Sequence, residues 1–398
     1  MPRRRRFIPL LVAAHAACGD DTSTTADIPV QIADSAGVRI VTYQGTPPVK
    51  TAFHLAAVPR YRHGADPGGY TFQEVSIGRL LPDGAAVVFD PWINELVVLD
   101  RDGANYRVLA GEGEGPGEVG SVDGLFLLSR DSILVADHNL HRLTLFVGGS
   151  AVRTTALRLA QGLSVHGVGS SGELLVANHW GPSGHDVDWL PGHMIRLDME
   201  TRTLDTVASY DFIPRIPQGL EWNPIAAVGE VTVAAGHYVY TRSDRPEVTW
   251  RLPGGTVTQI VRWQADPTLL AEDLLAPIEA ERRLLLRQHN SQISDAQLAE
   301  VTREQMGVFR AVIGRPMPLF GSPFADSEGA IWLPSYKTGG ENISTSPYTV
   351  IGPDGEWLGT VETPPRFRIL DVAGGLVLGV ELDEMDVENV VVYELIEG

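Results

Sequence analysis

The chain has 398 residues, 43% of them hydrophobic, with 31 basic and 50 acidic side chains, a formal charge of −19 and a single cysteine. A body this acidic repels nucleic acid and anionic lipid headgroups, so neither is an expected partner. One cysteine permits no intrachain disulfide and no cysteine-based zinc site, so the fold must be held by packing, which favours a large regular core.

At the start, Arg3, Arg4, Arg5 and Arg6 precede the apolar run 7–14 and a small-residue stretch ending at Ala17. These are the charged region, hydrophobic region and cleavage site of an export signal over residues 1–17. The apolar run is too short to span a bilayer. Cys18 follows directly, and a lone cysteine in that place resembles a bacterial lipobox, although His15 stands where most lipoboxes carry an apolar residue. The resemblance implies a lipid on Cys18, attachment to a membrane and a place in the cell envelope. Residues 18–36 read as a polar tether, and loss of 1–17 leaves 27 basic against 50 acidic residues, net −23.

A repeat follows. The segments 86–90, 133–137, 174–178, 237–241, 330–334 and 376–381 are short, apolar and β-branched, and the clearest are followed after a short loop by a second such segment and a glycine turn. The closing positions 90, 137, 178, 241, 334 and 381 are separated by 47, 41, 63, 93 and 47 residues. The extra length in the interval of 63 is expected in the loop 181–192. The interval of 93 contains residues 266–312, where leucines recur at helical spacing: Asp266 and Pro267 look like a helix start, and Ser294 with Gln297 forms a capping box for a second helix. Without that insertion the period is restored.

Units of 40–50 residues repeated in this way predict an all-β fold, a six-bladed β-propeller spanning 37–398 with an α-helical insertion between blades 4 and 5. The ring has to close, and an N-terminal strand can complete the last blade. Either 38–42 or 53–58 could supply it. The insertion reads as a helical hairpin packed on the ring, or as a lid or docking arm.

The stretch 111–120, GEGEGPGEVG, has the look of a phosphate loop. It carries Glu112, Glu114 and Glu118, has no lysine, includes Pro116 and leads into a strand, so repulsion of phosphate and a chain crossing between blades are expected instead. Residues 113–119, together with the strand pair 133–137 and 142–146, resemble the bacterial six-bladed propeller lipoproteins related to the NHL-repeat proteins. Val119 departs from the aromatic usual there, and the insertion is a second departure. The resemblance implies an envelope propeller and names no activity.

In a propeller the crossings and the loops between second and third strands emerge on one face. A candidate ligand-binding rim therefore gathers Asp90, Trp92, Glu112, Glu118, Asp137, His138, His141, Asn178, His179 and Glu381 around a channel mouth. The expectation is a binding or scaffold module that takes a small ligand or an envelope protein there, with no cofactor. The alternative is a metal-dependent, lactonase-like hydrolase or lyase in which Asp137, His138, His141 and His179 hold a divalent ion. An acidic turn at 381–386 could hold calcium but lacks the usual spacing. Trp222, Trp250, Trp263, Trp332 and Trp357 are expected in the blade core.

Overall fold

The computed structural model describes residues 29–45, 47, 53–64, 70–178, 188–214, 216, 223–290, 292–337 and 347–398. The expected export signal, Cys18, most of the tether, His179 and Trp222 lie outside the described residues. No helix among the described residues is long and apolar enough to cross a membrane.

The chain folds as a six-bladed propeller. Blade 1 contains Ile77–Leu80, Ala86–Asp90, Glu95–Leu99 and Tyr106–Ala110, each strand antiparallel to the next from the axis outward. Blades 2 to 5 repeat this order, beginning at Val122, Leu163, Gly229 and Phe324. In blade 3 the last two strands, Trp189–Leu197 and Leu204–Pro214, are unusually long, so part of the extra length expected in a loop is strand.

Side-chain alternation explains why the strands read as continuous apolar runs. Every blade is covered on both faces, and successive residues point to opposite neighbours. In blade 1, Ala86 and Val88 pack against blade 6, whereas Val87 and Phe89 pack against blade 2. In blade 2, Ile133 and Val135 face blade 1, and Leu134 and Ala136 face blade 3. The core is thus a wheel of interblade clusters. Trp250 and Trp332 are buried in it, and Trp263 and Trp357 pack at its edge between blades 4 and 5.

The last blade consists of Phe367–Ala373, Leu376–Leu382 and Glu388–Glu397, and its outer strand is N-terminal, as expected. Of the two candidates, Phe53–Leu55 closes the ring, pairing with Leu395, Ile396 and Glu397, and Tyr61–His63 continues along the same edge. The other candidate, Val38–Tyr43, instead joins the outer edge of blade 4, parallel to Val257–Arg262. Residues 30–35, expected in the tether, form the strand Val30–Ser35 that folds back on it through Ala36 and Gly37, both at positive φ, as a two-residue hairpin turn requires. Tyr43 fastens this hairpin to blade 5: its hydroxyl accepts the Trp357 amide at 2.6 Å and donates to the Gly355 carbonyl at 2.9 Å.

The insertion between blades 4 and 5 is helical, with α1 (Leu275–His289) and α2 (Asp295–Arg310). The capping box at Ser294 is present: its hydroxyl accepts the Gln297 amide, and the Gln297 side chain accepts the Ser294 amide at 3.1 Å. Asp266 and Pro267 do not start a helix. The backbone there is extended because Thr268 and Leu270 pair with the returning chain at Arg315 and Met317, making a stem, and α1 begins only after a short 3-10 turn over Glu272–Leu274. Ile278, Leu298, Met306 and Phe309 are buried, and Ile225, from the crossing into blade 4, joins Ile278, Met306 and Phe309 in one cluster. The insertion is therefore seated on the ring.

Candidate functional site

The residues that close the second strand of blades 1, 2 and 3 hold backbone. Asp90, fully buried, accepts the amides of Gln73 at 2.8 Å and Trp92 at 3.0 Å. Burial pushes its carboxyl up, against the opposing pull of those amides. Asp137 accepts Gly120 at 2.7 Å, Ser121 at 3.2 Å and Leu140 at 2.9 Å. Asn178 accepts the His193 amide at 2.9 Å. In blades 1 and 2 the carboxylate pins the incoming crossing to the following loop, which shows directly that crossings and loops share one face.

The glycine loop is built around Arg142. Its guanidinium donates to the carbonyls of Glu114 at 2.8 Å, Gly115 at 2.9 Å and Glu118 at 2.6 Å. The Glu118 carboxylate turns inward onto the Gly115 amide at 2.5 Å, and across the loop Gly113 donates to the Val119 carbonyl at 3.1 Å while Val119 donates to the Gly111 carbonyl at 2.9 Å. Amides that a phosphate would need are thus spent internally, and Gly117 sits at φ +83°, where glycine is favoured. The loop is a crossing between blades.

Of the other described rim candidates, His138 and His141 share a niche with Asp137, while Trp92, Glu112 and Glu381 are each engaged by a separate partner. Trp92 is 58% exposed and its indole donates to Glu74 at 2.8 Å. Glu112 is reached by Asn94 at 3.5 Å. Glu381 pairs with Arg62 of the closing segment at 2.6 Å. In the acidic turn beyond it, Asp383 caps the amides of Met385 and Val387, and Asp386 pairs with Arg366. His138 and His141 meet edge to face, and His138 lies 3.9 Å from Asp123, whose carboxyl burial pushes up to about 6. The niche between Asp123, Asp137, His138 and His141 measures only about 20 Å³, room for a water and no organic ligand. Among the described residues no three His, Cys, Asp or Glu side chains are grouped to share a metal ion.

A much larger cavity, about 360 Å³, opens on the same face across the axis, between the crossings and loops of blades 4, 5, 6 and 1. Its apolar wall comes from Phe320, Phe324, Tyr348, Ile369 and Leu370, and its polar groups are Ser76, Glu230, Ser243, Ser322, Tyr336, Lys337 and Arg368. Several are locked in place. Ser322 donates to Glu230 at 2.8 Å, and Ser243 accepts the Val228 amide at 2.9 Å. Arg368 donates to the Val75 carbonyl at 2.6 Å, while buried Glu388 accepts the Val75 amide at 2.5 Å, so blade 6 grips both sides of the crossing into blade 1. Burial raises the Glu388 carboxyl and Arg368 lowers it.

The insertion flanks the mouth. Tyr336, whose phenol burial pushes up to about 12, donates to the Pro224 carbonyl at 3.4 Å, next to the Ile225 that carries the helical pair. Glu281 of α1 is pushed up to about 7 by burial, against the attraction of Arg282 and Lys337. None of the described rim candidates lines this cavity. In blades 4 and 5 the repeat position carries Thr241 and Pro334 rather than an acid, and most of the other lining residues come from crossings and first strands, which hid them. One signal was available: Lys50 and Lys337 are the chain's two lysines, and Lys337 stands at the mouth.

The architecture has relatives among solved structures. A protein of Bacteroides fragilis described as exported is 11% identical and superposes with a TM-score of 0.53, over 90% of this chain and 99% of that one. A member of the DUF4221 family from Bacteroides vulgatus is 13% identical with a TM-score of 0.50, over 87% of this chain and 99% of that one. The likeness is one of fold. No family model matches the chain, and no curated protein does.

Proposed function

We propose that this is an exported propeller, anchored in the cell envelope by lipid on Cys18, that binds a small ligand in the cavity between blades 4, 5, 6 and 1. The resemblance of its crossings to the NHL-related propeller lipoproteins supports the same reading. The cavity carries the argument: about 360 Å³ of concave space combines an aromatic wall with Glu230 and Arg368, each held by a defined partner. Size and mixed lining suit an organic ligand with an apolar body and polar ends. Fixed polar groups lose little freedom on binding, as a recognition site requires.

Gly321 gives a clean test. A Cβ placed there meets Pro334 at 3.5 Å, an ordinary contact, and its backbone is not in the left-handed region, so Gly321→Leu should narrow the cavity without backbone strain. Thermal shift against a metabolite library should give compounds that raise the Tm of the wild type and leave Gly321→Leu unmoved. Compounds that stabilise both proteins equally would place binding elsewhere and overturn the assignment.

A further inference from the structure

We infer that the anchored protein stands with its cavity mouth toward the bilayer, so that the ligand arrives through the gap between membrane and ring. The register of the N-terminal hairpin carries this. Val30 pairs with Tyr43, and Thr42 pairs in parallel with Arg262, the last residue of the outer strand of blade 4. The chain therefore enters the fold at the end of that strand: Gln44 donates to the Pro29 carbonyl at 3.0 Å and Gln264 donates to the Gly45 carbonyl at 3.1 Å.

The same end of blade 4 leads to the cavity wall. Trp263 donates to the Pro246 carbonyl at 3.1 Å, and Ser243, three residues earlier, lines the cavity and accepts the Leu319 amide on its carbonyl at 2.6 Å. Entry point, insertion root and cavity thus share one face. An N-terminal strand that only closed the last blade would not impose this, whereas the added hairpin on blade 4 does.

The orientation rests on the lipid anchor proposed above. From Cys18 to Pro29 the chain can reach at most about 35–40 Å when fully extended, so the entry point on the cavity face stays within that distance of the bilayer, which favours that face turning toward it. Acidic groups on the near face, Glu74, Glu112 and Glu114 among them, keep it from lying flat on anionic lipid. A gap remains, open to molecules carried at the membrane surface.

The test uses the full chain, processed by a bacterial host and reconstituted in phosphatidylcholine vesicles bearing a headgroup-linked fluorescence acceptor. Two variants each carry one donor on an added cysteine. Met385→Cys places it in the exposed turn after the second strand of blade 6, on the cavity face, and Arg130→Cys places it in the turn between the first two strands of blade 2, on the opposite face. Mass spectrometry first establishes whether Cys18 bears lipid. The expected result is a larger loss of donor fluorescence at 385 than at 130. Lipid on Cys18 with equal losses, or with the larger loss at 130, overturns the orientation and leaves the anchor standing. A chain without lipid removes the anchor, and the orientation falls with it.

Discussion

The Asp137 carboxylate accepts the Gly120 amide at 2.7 Å, which ties the end of a blade 2 strand to the last residue of the glycine loop that enters the same blade. Asp90 does the same for Gln73 one blade earlier. These acids, which a sequence reading places on a ligand rim, act as staples between crossing and blade.

Asp137→Ala should therefore destabilise the fold by about 3 kcal/mol, since it leaves amides of Gly120, Ser121 and Leu140 without their charged acceptor. Asp137→Asn, which retains one acceptor oxygen, should lose less. Urea denaturation gives both values, and unchanged stability in the alanine variant would contradict the staple.

Arg142→Ala should cost about 1–2 kcal/mol by releasing three loop carbonyls. The wild-type loop should show no heat of binding with ATP or GTP in calorimetry, because the amides of Gly113, Gly115, Glu118 and Val119 are already used and three glutamates repel phosphate.

Tyr43→Phe should weaken the join between blades 4 and 5 by about 1–2 kcal/mol, leaving the Trp357 amide without its acceptor. Hydrogen exchange at Trp357 should speed up, while the blade 1 strands remain protected.

Phe309→Ala removes the largest buried side chain of the insertion cluster, at a local cost of about 3–5 kcal/mol. Among the described residues that cluster shares Ile225 and Met317 with the ring side of the stem, so limited proteolysis should cut within 275–310 while the remaining chain melts near the wild-type temperature. Melting of the whole molecule in one lowered transition would show the two to be a single cooperative unit.

Glu281 supplies a pH signature. Its folded pKa of about 7 lies above the ordinary value near 4.3, so the native state holds a proton that the unfolded chain releases. Its stabilising contribution is complete below about pH 4 and declines as pH rises through 7. Glu281→Gln should flatten that part of the stability profile, measured by denaturation at pH 5 and pH 8.

Much of the fold was legible because a propeller repeats one local pattern. Runs such as 86–90 and 133–137 must bury both faces, which makes them apolar throughout, and the acid at the strand end recurs because the same crossing needs the same acceptor. The capping box at Ser294 was legible for a similar reason: its partners are three residues apart. Asp266 with Pro267 misled, because the pairing that extends this backbone comes from Arg315 and Met317, nearly fifty residues away.

The candidate site was not legible. Local sequence by itself determined the blade count, the insertion and the crossing role of the glycine loop, all of which depend on spacing and turn chemistry along the chain. The tertiary structure alone decided which N-terminal strand closes the ring, that Val30–Ser35 returns to blade 4, and that Ser76, Glu230, Tyr336 and Arg368 surround one cavity. Those four residues come from four blades and up to 292 positions apart, and only ring closure, which the interblade packing drives, brings them within reach of one ligand.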